Sequence, residues 1–279
     1  MKKPMDLTDT IRRPVVAGSF YTAHAPSLSD EIVSYLKSVP DRSLERLPIG
    51  LIVPHAGYMY SGQIAAYGYK HIVGLRYDTV IVCAPSHRAY FPGASVDRKS
   101  AYRTPLGDIP IDSALAESLM TSCDLISFYE QAHAEEHAVE VQLPFLQTAL
   151  QDLSIVPFIM GSQDLETCEA LAQALAKCIQ GRNVLTVASS DLSHYHPHGQ
   201  ATVLDQHVID HITAYDPQGL ALGLKRRHME ACGGGPIITT LFLGKHLGAT
   251  RAEIVKYATS GDVSGDYSGV VGYAAGVIY

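Results

Sequence analysis

Six short apolar runs, separated by helix-like segments, constrain the fold of this chain more than any other feature. They are rich in β-branched residues and continuous rather than alternating, and they lie at residues 50–53, 79–83, 153–159, 183–188, 253–257 and 270–278. Continuous apolar strands are typical of a sheet that helices cover on both faces. The pattern therefore predicts an α/β fold with a central, largely parallel sheet covered by helices.

The segments between these runs have the apolar spacing of amphipathic helices. The clearest begins after Asp164, a good N-cap, and ends at Gly181. Similar spacing predicts helices at residues 29–36, 62–72, 112–120, 137–150, 201–214 and 236–247. Two long loops rich in Gly, Ser and Asp, 88–105 and 258–269, are expected to form walls of a site. No repeat or linker interrupts the pattern, so residues 1–279 are expected to form one domain.

Composition excludes several classes of protein. Apolar residues make up 47% and charged residues 18% of the 279 residues, which is unlike a disordered or fibrous chain. The net charge of −7 and the absence of a basic run argue against nucleic acid as a partner. No apolar stretch approaches the ~20 residues of a membrane span. Five cysteines without a C-x-x-C pair indicate reduced thiols, and we expect a cytoplasmic protein.

Histidines follow three of the predicted strands. His55 comes after the first run, His87 after the second, and His194 after the run that ends near residue 188. Ligands of open α/β sheets bind beyond the carboxyl ends of the strands, so these three imidazoles are expected to meet in one crevice. Neutral imidazole is the commonest ligand of transition metals. Asp191 is either the acceptor that orients a histidine, a ligand itself, or a turn former.

Cys232 precedes three glycines and Pro236, at the expected start of a helix. Glycine neighbours would leave its sulfur accessible, and the helix dipole would favour its thiolate. A thiolate with imidazoles makes a good site for iron, copper or zinc. Cys232 could instead act as a nucleophile, or be a small residue in a tight turn.

A second cluster, residues 133–140, contains the pattern H-x-x-E-H of inverted zinc peptidases in His133, Glu136 and His137. Pro144 follows two turns later and no third ligand is evident, which weakens that interpretation. The alternative is a polar face, with His137 and Glu140 directed into the crevice and Glu140 orienting a histidine or the substrate. A solvated helix face is the remaining alternative.

Tyr58 and Tyr60 lie before the second predicted helix, where they either line a pocket or pack. The glycines around them do not match a dinucleotide-binding loop, and no phosphate-binding loop or G-x-S-x-G elbow occurs in the chain.

Taken together, the motifs PHAGYMYSG, APSHR, EEHAVEVQLPFL, SSDLSHY and CGGGPI occur in the order expected of the Memo family. The segments RRPVVAGSFYTA and VVGYAAGVIY also look like that family, so the resemblance spans essentially the whole chain. Its prokaryotic members are similar to the protein B type of the AmmeMemoRadiSam system.

The resemblance implies a LigB-like fold, related to the class III extradiol dioxygenases, and a non-haem metal. It implies that His55, His87 and Cys232 are the metal ligands and that Asp191 and His194 are the catalytic residues, with His194 as the base. Iron (Fe²⁺) is the metal expected, with copper or zinc as alternatives. A small-molecule substrate, an AMMECR-type protein and a radical-SAM protein are the partners implied. A thiolate ligand departs from the extradiol set of two histidines and a carboxylate, so cleavage of a catechol ring is not expected.

Three functions follow from these observations. The first is a metal-dependent oxidoreductase acting on a small molecule in the crevice. The second is a binding scaffold that kept the fold without the chemistry and takes a peptide or protein. The third is a zinc hydrolase that uses the segment 133–137.

Overall fold

A mixed sheet of nine strands forms the centre of the computed structural model, which describes residues 11–41 and 46–279. The strands are β1 Ile11–Arg12, β2 Gly50–Val53, β3 Thr79–Pro85, β4 Ala94–Val96, β5 Ala101–Thr104, β6 Gly107–Pro110, β7 Ile126–Ser127, β8 Ile155–Met160, β9 Val184–Ser189, β10 His194–His196, β11 Ala252–Thr259 and β12 Val270–Ile278. The three strands β1, β5 and β6 form a separate small sheet.

Helices fill the connections between the strands. They are α1 Ala25–Ser38, α2 Tyr58–Tyr69, α3 Ser113–Ser122, α4 Glu130–Ala134, α5 His137–Glu140, α6 Leu143–Ala149, α7 Leu165–Cys178, α8 His198–Thr213, α9 Pro217–Lys225, α10 Gly234–His246 and α11 Gly261–Ser264, with a 3-10 turn at Lys70–Ile72. None of the helices in the described ranges has the length and apolar character needed to cross a membrane.

Parallel pairing is confined to the middle of the large sheet and to one edge. The order is β10-β12-β2-β9-β3-β8-β4-β7, with β11 on the outer side of β12. Strands β2, β9, β3 and β8 are parallel. Strand β12 runs antiparallel to β2 and β11, and β4 runs antiparallel to β8, although β7 is parallel to β4. The α/β fold is confirmed, and the expectation of a largely parallel sheet is corrected to a mixed one.

Each of the six apolar runs forms a strand, and all but β11, which is only partly buried, are buried along most or all of their length because helices cover the central sheet. Along β3, Val80 and Val82 belong to the core on the side of α1, α2 and α6. Ile81 and Cys83 belong to the core on the side of α7 and α10. Two buried faces explain why the strand has no polar alternation.

The helix expected over residues 137–150 is two helices. Glu136 is the N-cap of α5 and accepts a hydrogen bond from the Ala138 N–H. Pro144 lies in the first turn of α6, where its missing N–H costs nothing. The break places His137 at the start of a helix.

Register brings the carboxyl ends of the central strands to one edge. Val53 of β2 pairs with Ser189 of β9, and Cys83 of β3 pairs with Ala188 of β9. The segments that follow β2, β3 and β9 therefore meet, as expected for the crevice of an open α/β sheet.

Candidate metal centre

Three imidazoles converge at this edge. His55 follows β2, His87 follows β3, and His137 begins α5. Their potential ligand atoms lie within 4.8 Å of one another. The ring centroids are 4.8 to 5.5 Å apart. The residues present therefore offer a donor set that could hold a metal ion, and His137 belongs to it directly rather than only supporting it.

Hydrogen bonds define which nitrogen of His55 faces the site. The Ser189 hydroxyl donates to the Ala138 carbonyl at 2.7 Å, so towards His55 its oxygen can only accept. The Nδ1 atom of His55 lies 2.9 Å from that oxygen and must carry the proton. The Nε2 atom therefore holds the lone pair, and it lies 3.1 Å from the Cys232 sulfur.

Glu136 orients His87 in the same way. One carboxylate oxygen accepts from Nδ1 of His87 at 2.9 Å, and the other accepts from its backbone N–H at 2.7 Å. The first oxygen also lies 3.3 Å from Nδ1 of His137. Burial alone would raise the pKa of Glu136, but the hydrogen bonds from His87 and from the Ala138 N–H lower it to about 2. A carboxylate that fixes the tautomer of a ligand histidine is the usual arrangement around a metal.

Burial keeps two of the imidazoles neutral. It lowers the pKa of His55 to about 3, with a further contribution from the neighbouring His87. Burial, and then the proximity of His55, lowers the pKa of His137 to about 4. Both rings consequently present lone pairs near neutral pH, as metal binding requires.

Asp191 and Cys232 lie beside His55. The Asp191 carboxylate accepts the His55 backbone N–H at 2.8 Å, and burial raises its pKa. The Cys232 sulfur accepts the Asp191 backbone N–H at 3.3 Å. Burial, reinforced by the Asp191 charge, raises the pKa of the Cys232 thiol, which opposes the thiolate expected from the helix dipole.

A cavity of about 570 Å³ opens above the histidines. Of the predicted site residues, the structure brings five together in its wall: His55, His87, His137, Asp191 and His194. Cys232 is next to His55 but does not line the cavity. The expected loop 258–269 supplies part of the wall, whereas the loop 88–105 does not and instead contains β4 and β5.

Glu140 does not enter the crevice. It is fully buried and accepts hydrogen bonds from the Tyr21 hydroxyl at 2.7 Å and from the backbone N–H groups of Val15 and Val16. The Arg12 guanidinium is its ionic partner. The N-terminal segment supplies all these donors, so the Glu140 carboxylate is directed towards residues 12–21. The expected role with a histidine or the substrate is therefore wrong, and Glu140 anchors residues 12–21.

Tyr58 does not line the cavity either. It is buried, and its hydroxyl donates to the Val141 carbonyl at 2.7 Å while its ring packs on Phe145. As the first residue of α2 it faces the core, so its neighbour Tyr60 reaches the cavity wall instead.

The pattern H-x-x-E-H is divided between two helices. His133 lies in the short helix α4. Its Nε2 atom is 2.9 Å from Ser95 Oγ, and its Nδ1 atom is 3.1 Å from the Tyr102 hydroxyl. Both nitrogens are thus occupied in the core, away from His137. The inverted zinc-peptidase site is wrong for this chain, and Glu136 is a partner of His87 rather than a base.

Sequence reasoning missed two supporting residues. In the sequence, Ser189 is one residue of a polar stretch after a strand. In the structure it is the last residue of β9 and pairs with Val53 at the end of β2, which brings it into contact with His55. The role of Glu136 was hidden because it fell within a motif that suggested another chemistry.

The chain is similar to proteins of several archaea. The family model described as Memo-like protein matches residues 12–277. A MEMO1 family protein of Methanocaldococcus jannaschii is 40% identical, covering 96% of this chain and 99% of its own length. One of Methanosarcina mazei is 41% identical over 96% of this chain and 99% of its own.

Among solved structures, an uncharacterized protein of Escherichia coli K12 has a TM-score of 0.57 and 17% identity, covering 83% of this chain and all of that one. This likeness concerns the fold alone. The family model and the archaeal relatives span nearly the whole chain. The chain therefore belongs to the Memo family.

Proposed function

We propose that this protein is a metal-dependent oxidoreductase that acts on a small molecule in the cavity above His55, His87 and His137. The observation that carries the proposal is the histidine group itself, with ligand atoms within 4.8 Å of one another. Two of these rings have their remaining nitrogen occupied by Ser189 or Glu136, which leaves lone pairs available to an ion. Such pre-oriented imidazoles are what metal sites require.

His55 and His87 are proposed as ligands together with Cys232. Two atoms bound to one zinc-like ion lie about 3.4 to 3.6 Å apart by ordinary metal–ligand distances. The 3.1 Å between Cys232 Sγ and His55 Nε2 is close to that separation. His137 is the competing third donor, because its nitrogen already belongs to the histidine group.

Iron is the preferred metal in this proposal, with copper as the alternative. A bound iron or copper ion would supply a one-electron redox couple and Lewis acidity. Imidazole and thiolate donors also suit zinc, which has no redox chemistry. Identification of the metal therefore separates a redox protein from other uses of the same site.

The residues around the ligands have distinct proposed roles. His194 lines the cavity, and its ring nitrogens make no hydrogen bond within the described residues, so it is available as the base that accepts a proton from the substrate. Asp191 holds the His55 backbone through its N–H and is a positioning residue. An AMMECR-type protein and a radical-SAM protein remain the proposed partners.

The test is elemental analysis of protein purified without oxygen, together with the variants H55A, H137A and C232A. The exposed histidine of α8 provides the matched control H207A. We expect near-stoichiometric iron or copper in the wild type and the control, and its loss in H55A and C232A. Zinc in place of iron or copper in the wild type and the control would refute the proposed oxidoreductase function.

The alternative is a binding scaffold without catalysis. It draws support from exposed apolar side chains next to residues of the cavity wall, namely Met59 at 66%, Tyr195 at 79% and Val263 at 55% exposure. Absence of metal from folded wild type under these conditions would favour it.

A further inference from the structure

The wall of the histidine cavity has an unusual charge composition. Among the described residues that line it there are two carboxylates, Asp191 and Asp266, and no Lys or Arg. Three other cavities among the described residues each include a basic side chain, such as Lys99, Lys225 or Arg226. The histidine cavity is therefore the one among these that lacks a fixed positive charge of its own.

Aromatic rings form much of the same wall. Tyr60, Tyr195 and Tyr273 line it together with Phe20, in a chain that is only 8% aromatic. Tyr273 is 2% exposed, yet its hydroxyl makes no hydrogen bond within the described residues. The hydroxyls of Tyr60 and Tyr195 also have no hydrogen-bond partner in those ranges. The Tyr273 side chain lines the cavity, so its hydroxyl is open to it and available to hydrogen-bond a bound group.

The outer end of the cavity carries the ionised carboxylate. Asp266 is exposed, and one of its oxygens accepts from the Ser268 N–H at 2.9 Å and from its hydroxyl at 2.7 Å. These bonds lower the pKa of Asp266. Its second oxygen makes no hydrogen bond within the described residues and remains available.

Backbone strain marks Tyr195 at the same end. Its φ is +62°, a left-handed conformation that costs a bulky L-residue energy, and its side chain is 79% exposed. Tyr195 directly follows His194, so one short segment supplies both the proposed base and an aromatic side chain at the mouth of the cavity.

We propose that the outer half of this cavity binds the protonated amine of the substrate, between the rings of Tyr60, Tyr195 and Tyr273 and the carboxylate of Asp266. Aromatic faces and phenol oxygens both attract an ammonium group, and Asp266 provides the opposite charge. The amine lies at the mouth because a metal ion at the histidines would repel it. The substrate class is a small molecule with an ammonium group at one end and a polar group that reaches the histidines.

The inference rests on the proposed function only in taking this cavity as the substrate site. The test compares three ligands of similar size: 2-phenylethylammonium, 2-phenylethanol and 3-phenylpropionate. Affinities are measured by calorimetry or saturation-transfer NMR at pH 7.5, with protein as purified and after removal of metal by a chelator. Metal content is measured separately, so a failure of the metal proposal can be distinguished from a failure of the amine proposal.

We expect the ammonium ligand to bind at least tenfold more tightly than the other two, in both preparations. D266N and Y273F should each weaken ammonium binding threefold to tenfold and leave binding of the alcohol unchanged. The control D124N removes an exposed carboxylate far along the chain, between α3 and β7, and should have no effect. Equal or tighter binding of the carboxylate ligand, or an unchanged ammonium affinity in D266N, would overturn the proposal.

Discussion

Substitution of Glu136 by Gln tests the link between the buried carboxylate and the metal centre. The carboxylate accepts three hydrogen bonds, from His87 Nδ1, the His87 backbone N–H and the Ala138 N–H. A glutamine of the same shape has one acceptor oxygen. Its NH₂ group must face at least one of these donors. The least costly orientation places the NH₂ group opposite the His87 backbone N–H, which is the only donor on that side.

The magnitude follows from those contacts. One buried donor left without an acceptor costs about 1 to 3 kcal/mol, and the bond from the His87 ring, now accepted by a neutral amide oxygen, is weaker without the charge. We expect E136Q to lose about 2 to 4 kcal/mol of unfolding free energy. Loss of the carboxylate that orients a ligand histidine should also weaken metal binding by about 10 to 100-fold.

Two measurements separate these effects. Urea unfolding of metal-free protein gives the stability, and competition with a chromophoric chelator gives the affinity for Zn²⁺. The neighbouring Glu135 is exposed, so E135Q is a matched control that should change neither quantity. An E136Q protein that is less stable but binds Zn²⁺ with wild-type affinity would show that Glu136 supports the fold only, contrary to this reasoning.

Three further predictions follow from other contacts. Burial lowers the pKa of His133 from 6.5 to about 4, so protonation of this ring is less favourable in the folded state than in the unfolded state. The free energy of unfolding should therefore fall by up to about 3 kcal/mol as the pH drops from 6.5 to about 4. In urea titrations at pH 7.5 and 4.5, H133N should lose less stability than the wild type. Tyr195 has a φ of +62°, so Y195G should be more stable than Y195A by about 1 kcal/mol in thermal unfolding, and equal stability would contradict the strain. E140Q leaves the buried Arg12 guanidinium without its charge partner and should cost about 3 to 5 kcal/mol in urea unfolding, whereas a loss below 1 kcal/mol would show that the pair is dispensable.

The central sheet could be predicted because burial on both faces leaves a local signature. Strands β2, β3, β8 and β9 are buried along their entire length, and each appears in the sequence as an unbroken apolar run. Strand β10 has no such signature, since its three residues are partly or fully exposed and it forms by pairing with β12. Short edge strands of this kind depend on partners distant in sequence.

The candidate site was predictable in part for the same reason. His55 and His87 directly follow buried strands, so the topology alone brings them to one edge. The position of His137 depends on the helix break after Glu136, and Glu is an uncommon N-cap. Glu140 shows the reverse case: its spacing from residue 137 suggested a shared helix face, but its partners lie more than 100 residues away near the N-terminus.

The third metal ligand can be identified by counting protons. The structure leaves His137 neutral, with a pKa of about 4, so it can bind an ion without losing a proton near neutral pH. The Cys232 thiol has a raised pKa and must release its proton to bind. If Cys232 is the ligand, as we propose, Zn²⁺ binding measured by calorimetry in two buffers of different ionisation enthalpy should release about one proton per ion, and C232A should abolish the release. Binding without proton release in the wild type would instead assign the third position to His137.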